Sequence, residues 1–398
     1  MTSDMRISLL TGGDDPNYAI PFAASLADQG VQVEFVGNDA MQSAADLKRA
    51  NIRYLNLRGS QDPRASFHFK AVRVFHYYQK LISYTARTES RLFHILWLNK
   101  FELLDRTLMN AFYKLNGKKL VFTAHNVNTR KRDGHDTWAN KASLRAMYAM
   151  LDHIFVHTEL SREELVSEYR VVPDKISVIP FGLNTYVPDT PLSKSEARAF
   201  LGLKETEKVL LFFGQIAFYK GLDILLDALR ILESQQPSYR LIIAGRANLG
   251  SEEYWRVLKS GLEGDLMRSR IVVKDDFIPD RDVPVLYRAA DVLVLPYRAI
   301  YQSGPLSLAH RFGVPVIATR VGAFERDVIP GVTGLLCEPE NPQVLAQTIS
   351  RFFESDLYLD GDRAQKRIRE IALERYSWER ISRTIVEVYA SLTGGLAC

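Results

Sequence analysis

Short runs of branched apolar residues recur along this chain. Between them lie longer stretches whose apolar residues return every three or four positions. The first pattern predicts strands buried on both faces, and the second predicts amphipathic helices. In the first half the strand-like runs are RISLLTGG (6–13), VQVEFVG (31–37), FHILWL (93–98), KKLVFTAHN (118–126), LDHIFVHT (151–158) and KISVIPFG (175–182). Helical spacing fills 19–30, 66–91 and 100–117, with Gly30 and Gly117 placed to end two of them. VNTRKRDGHD, after the fourth run, reads as a polar loop, and 184–207, with Pro188 and Pro191, reads as a linker. Beyond it KVLLFFG (208–214), YRLIIAG (239–245), RIVVKD (270–275), DVLVLP (291–296), GVPVIAT (313–319) and GLLC (334–337) predict strands. Helices are predicted at 222–234 and 341–354, with two more at the end of the chain. This alternation in both halves predicts an α/β protein of two doubly wound, Rossmann-like domains, 1–190 and 191–375, facing across a cleft.

The stretch from Asp291 to Gly313 shows where a site belongs. A buried strand leads through YRAIYQ to Ser303, Gly304 and Pro305, and then to apolar residues at helical spacing that end at Gly313. Ser is a preferred N-cap and Pro suits the first turn. The N–H groups of such a helix face the carboxyl end of a strand and attract phosphate, and small residues let it approach the backbone. An ordinary capped turn would read the same way, so the neighbouring loops decide. The loop after 208–214 brings Lys220 before Gly221, the loop after DVLVLP adds Arg298, and the loop after PVIAT carries Glu325. Together they suggest a diphosphate held by backbone N–H groups and one or two cations, without a metal. No Walker A sequence is present, and GGDDPN lacks the G-x-G-x-x-G spacing, so ATP hydrolysis of that kind and nicotinamide chemistry are poorly supported. Asp360 and Asp362 form a D-x-D and read as a helix cap. In the first half His125 falls at the carboxyl end of a predicted parallel strand, where open α/β sheets bind ligands.

Composition narrows the partners. The chain has 398 residues, 46% hydrophobic and 25% charged, as expected of a soluble globular protein. No apolar run is long enough to span a membrane, and two cysteines make no disulfide framework, so a reducing cytoplasm fits best. Net charge is +4, yet residues 48–132 hold 18 Lys and Arg against 4 Asp and Glu. Such an excess suggests an anionic partner, such as a membrane surface or a phosphorylated lipid. Arg130, Lys131 and Arg132 are candidates for acceptor or membrane contact. The segment 66–91 mixes aromatic and basic residues, which suits a helix at a bilayer interface or one packed on the first sheet. The basic stretch alone would also admit a nucleic acid, but no recognition motif supports one.

FFGQIAFYKGLDILLDAL, IIAG, ADVLVLPYRAIYQSGPLSLAHRFGVPVIATRVGAFERDVIPGVTGLL and YSW (376–378), with HNV and DHIFVHTELSREEL upstream, resemble the retaining glycosyltransferases of family 4, with the GT-B fold. The resemblance covers most of 118–392 and is strongest in a branch with Tyr-Lys-Gly and Gln-Ser-Gly segments. It implies a nucleotide-sugar donor, such as a UDP- or GDP-hexose, bound mainly by the second domain, and no further cofactor. It implies a lipid-linked or saccharide acceptor bound mainly by the first domain, at the inner face of a membrane. A C-terminal helix, 376–398, would cross back to the first domain. By position, Lys220 would contact the diphosphate, Ser303 and Gly304 would offer it N–H groups, Glu325 falls in the Gly-x-x-Glu segment, and Gly13 lies in the glycine loop beside it. His125 would stand near the transferred sugar. The sequence departs from the family at Ile300 and Leu308, which replace a Glu-x7-Glu pair, at Gln215 where an Arg is usual, and at Phe181 where a His is usual. The lost pair also admits a catalytically silent, nucleotide-sugar-binding subunit. An epimerase on a similar scaffold would need acid–base carboxylates that the sequence does not supply.

Overall fold

The computed structural model describes residues 5–12, 15–62, 64–99, 101–132, 136–233, 239–262 and 269–394. They form two compact units, Met1–Gly182 with Tyr376–Cys398, and Leu183–Arg375.

The first unit is built on a 7-stranded parallel sheet: β1 (Arg6–Leu10), β2 (Gln32–Gly37), β3 (Ile52–Asn56), β4 (Leu92–Ile95), β5 (Lys119–Ala124), β6 (His153–Val156) and β7 (Ile176–Val178), in the order β3-β2-β1-β4-β5-β6-β7. Strands β4 and β6 are buried at every position, which is why their sequences read as unbroken apolar runs. The order reverses between β1 and β4, so the loops after these strands diverge and leave a crevice at the carboxyl ends. Helix Trp378–Thr393 belongs to this unit and packs on helix Pro16–Asp28. The Trp378 ring lies so close to Gly182 that an added Cβ there would sit 2.2 Å from it. Tyr389 hydrogen-bonds His94, a fully buried ring that burial, aided by His153, pushes down to about 3.

The second unit has a 6-stranded parallel sheet: β8 (Lys208–Phe213), β9 (Tyr239–Ala244), β10 (Ile271–Lys274), β11 (Val292–Leu295), β12 (Val316–Thr319) and β13 (Gly334–Cys337), ordered β10-β9-β8-β11-β12-β13. Successive side chains of β8 enter opposite cores. Leu210 and Phe212 pack with helices Leu222–Glu233 and Pro342–Phe353, whereas Val209 and Leu211 pack with Leu306, Ala309 and Phe312. Its reversal lies between β8 and β11.

Four local expectations need correction. The stretch 184–207 is no open linker, because it contains helix Lys194–Phe200, started by a capping box between Ser193 and Glu196. The division between units falls at Gly182/Leu183, not at 190/191. The reason is that Asn184 and Val187 are already tied to the second unit, through Ser307 and Arg311. The loop after β5 includes a helical turn, Thr129–Arg132, and residues 102–115 form a helix interrupted by a π turn at Asp105–Met109.

Candidate functional site

In the second unit the chain leaving β8 turns at Gly214, whose φ of 102° is left-handed territory that glycine alone enters cheaply. A Cβ at this position would lie 3.0 Å from Lys220 Nζ and 3.3 Å from Pro305 Cγ. Three points distant in sequence therefore meet here: the first glycine after β8, the lysine of the next turn, and the start of the 9-residue helix Gly304–Phe312. Ser303 caps that helix, accepting a hydrogen bond from Leu306 N at 3.3 Å, and Tyr287 Oη donates to Pro305 O at 3.0 Å. Gly304 is exposed, with nothing within 4 Å of an added Cβ. Lys220 is 6% exposed, with its ammonium 5.5 Å from the centre of the buried Tyr297 ring. A helix N-terminus, a lysine and a glycine turn at a sheet's switch point are the components of a diphosphate site.

Arg298 does not join this group. Its guanidinium forks onto Asp223 at 3.0 and 2.7 Å, reaches Glu340 at 3.1 Å and Phe218 O at 2.7 Å, and lies over the Phe218 ring. Arg298 N also donates to Tyr219 O. The arginine thus clamps the Phe218–Lys220 turn rather than presenting free charge. Burial alone would raise the Asp223 carboxyl, but hydrogen bonds from Arg298 and Tyr254 outweigh it and hold the group below the usual carboxylate range. Gln215 is exposed directly after Gly214, and Glu325 is exposed on the short helix Phe324–Asp327. Leu308 is buried in the core and Ile300 packs against it, so both positions are apolar contacts in this chain.

In the first unit the site gathers at three neighbouring strand ends. Ala124 pairs with Val156, and Val156 pairs with Val178. The next residues, His125, His157 and Ile179, therefore stand side by side. His157 Nε2 lies 3.1 Å from His125 Nδ1, and His157 Nδ1 lies 3.2 Å from Ile179 O. Trp97 stacks on the His125 ring at 4.3 Å and 7°, and Tyr18 meets its edge at 4.6 Å. Phe181 flanks both histidines. Burial, followed by His157 and His94, lowers the proton affinity of His125 well below the ordinary histidine value, so the ring is neutral. Gly13 lies outside the described residues. Its neighbour Gly12 has φ 43°, an added Cβ would meet Trp97 O at 1.7 Å, and Arg58 donates to its carbonyl.

The loop after β5 is fixed by a polar network. Asn128 Nδ2 donates to Asp136 and Tyr169, and Asn140 links Asn128, Asp136 and Arg106. Of the three cations, Arg130 is exposed and 3.8 Å from Glu102, and the Arg132 side chain lies outside the described set. Lys131 bonds Glu164 and Glu168, so its charge is answered within the unit. Sequence reasoning had not singled out His157, Trp97, Tyr18 or Asp223. The signal for His157 was its place at the end of a strand-like run, the same place that marked His125.

Comparison with known proteins matches 193–375 to the family model described as glycosyl transferases group 1, and 17–186 to the model for glycosyltransferase family 4. A D-inositol 3-phosphate glycosyltransferase of Corynebacterium glutamicum is 26% identical over 404 residues, covering 94% of this chain and 90% of its own. Sucrose-phosphate synthase from Thermosynechococcus elongatus superposes with a TM-score of 0.75 at 20% identity, over 98% of this chain and 100% of its own. Anabaena HepE, crystallised with UDP and glucose, gives 0.72 at 21% identity over 97% and 100%.

Proposed function

The chain belongs to glycosyltransferase family 4 and has the GT-B fold, and on that premise we propose that it moves a hexose from a UDP- or GDP-sugar to a lipid-linked or saccharide acceptor, with retention of configuration and without a metal. The observation that carries this reading is the meeting of Gly214, Lys220 and the Ser303-capped helix start at the switch point of the second unit. As the bond from the anomeric carbon to the phosphate oxygen breaks, negative charge grows on the diphosphate. Lys220 and the helix N–H groups stabilise it without reorganising. The departing oxygen takes the proton of the acceptor hydroxyl, which forms its bond on the same face of the sugar. In the first unit, neutral His125 is the partner for a sugar hydroxyl. The likeness to HepE, solved with UDP and glucose, favours a UDP-sugar. A relative that acts on D-inositol 3-phosphate agrees with an anionic acceptor on the basic first unit.

A membrane-facing role has support in helix Phe67–Arg87. Tyr77, Tyr78, Leu81 and Thr85 bury its second half, while Phe67, Phe69, Val72 and Phe75 are exposed at 53–81%. Lys80 and Arg87 are exposed on the same helix. Aromatic residues beside cations suit an anionic bilayer interface. No helix among the described residues is long and apolar enough to cross a membrane. A second reading, a sugar-nucleotide-binding subunit without turnover, draws on the apolar packing of Ile300 and Leu308.

NMR observation of the anomeric proton, with α-linked UDP- and GDP-hexoses, first with added divalent cation and then with EDTA, tests the chemistry. An α-product formed first supports the proposal. A β-product contradicts retention, loss of turnover on adding EDTA contradicts metal independence, and binding without any turnover favours the silent subunit.

A further inference from the structure

His125 has one ring nitrogen engaged and one not. Nδ1 faces His157, whereas Nε2 is buried without a hydrogen-bond partner. The chain of contacts fixes which nitrogen carries the proton. A carbonyl oxygen can only accept, so His157 Nδ1 donates to Ile179 O. In a neutral His157 that leaves Nε2 as a lone pair, and His125 Nδ1 must be the donor across the 3.1 Å contact. The proton of His125 then sits on Nδ1, and Nε2 is a buried acceptor without a partner in the protein.

We propose that His157 is a positioning residue that holds His125 in its Nδ1–H tautomer, so that Nε2 accepts a hydrogen bond from a hydroxyl of the bound sugar. The proposal rests on the placement of His125 at the sugar, and it goes beyond that placement by assigning the atom, its protonation state and the residue that sets them. The geometry follows from the sheet. Consecutive register positions at the ends of β5, β6 and β7 put His125, His157 and the Ile179 carbonyl in one row. Stacking by Trp97 and the edge of Tyr18 fix the plane of the His125 ring, so Nε2 points in one direction. A buried acceptor without a partner is unfavourable, and a ligand hydroxyl relieves the cost. Tyr18 Oη is a second buried polar atom without a partner in the same aromatic cluster. An imidazolium at His157 would reverse the assignment, making His125 Nδ1 the acceptor and Nε2 the donor.

The test uses the full chain with 15N-labelled histidine, reading ring nitrogens by long-range 1H–15N correlation in wild type, His157→Gln and His157→Phe. The wild type is expected to show a protonated Nδ1 and a bare Nε2 at His125. His157→Gln retains an acceptor oxygen and is expected to keep that signature. His157→Phe is expected to lose it and to lower kcat/KM about 10-fold, the loss of roughly one buried hydrogen bond, with partial recovery in the Gln variant. A proton on Nε2 in the wild type overturns the proposal, as does an unchanged signature in a folded His157→Phe. If the tautomer is as stated but His125→Ala transfers sugar at the wild-type rate, the pairing stands and the catalytic placement of His125 falls.

Discussion

Gly214 carries a burden that its size alone allows. Its φ is 102°, and a methyl group would press on both Lys220 Nζ and Pro305 Cγ. Gly214→Ala is expected to cost roughly 1–3 kcal/mol in strain and to weaken nucleotide binding more than it weakens the fold, which calorimetry beside thermal unfolding would show. Gly12→Ala meets backbone, the Trp97 carbonyl, and cannot relax. Strain and overlap together are expected to remove roughly 2–4 kcal/mol from the first unit. At this scale the sequence was legible where a residue's position along its own strand was enough. His125 stands at a strand end, Lys220 stands before a glycine in the turn that follows β8, and Ser303 stands before Gly-Pro at a helix start. Arg298 misled because a cation beside a Ser-Gly turn looks the same whether it meets a ligand or a carboxylate, and its partner Asp223 is 75 residues away. His157 carried the same strand-end signal as His125, but its pairing with His125 exists only once β5 and β6 are neighbours.

At the scale of elements, the Phe218–Lys220 turn is held by Arg298, which is ion-paired with Asp223 and Glu340. Asp223 titrates below the usual range in the folded chain, so its contribution is present at neutral pH and is lost as pH falls through that depressed value. Asp223→Asn is therefore expected to lower stability at pH 7 and to flatten its acid dependence below about pH 4, measured by urea unfolding across pH. A parallel acid limb in wild type and variant would remove Asp223 from the account. The N-terminal half of helix Phe67–Arg87 allows a separate check. Phe69→Asp with Phe75→Asp is expected to abolish co-flotation with vesicles containing anionic lipid while leaving nucleotide binding intact. The strands other than β3 and most helices were legible from period alone; IRYLN is polar and only half-buried, so it leaves no apolar run. The helix Lys194–Phe200 was not, because two nearby prolines outweighed its Ser193–Glu196 capping box. The π turn at Asp105–Met109 was not either, because one extra residue in a turn leaves no mark on the apolar spacing.

At the scale of the molecule, the alternating pattern reported two parallel sheets because both sheets bury their strands on two faces. It could not report the strand orders, which decide where the switch points lie. The final helix is the clearest long-range feature. Trp378 packs on Gly182 and Tyr18, and Tyr389 bonds His94. Trp378→Ala is expected to cost the first unit roughly 3 kcal/mol or more. Amide exchange should then quicken in β1, β4 and β5 but not in β8–β13, and uniform loss in both units would contradict this assignment. We propose that Lys220 and the helix start at Ser303 hold a sugar-nucleotide diphosphate. The decisive test is calorimetric titration of UDP, GDP and their hexose conjugates into wild type and Lys220→Ala, in EDTA. The expected result is binding selective for one nucleotide and at least about tenfold weaker in the variant, the loss of one charge-assisted contact. Equal affinity in both proteins, or no binding at millimolar concentration, would contradict it.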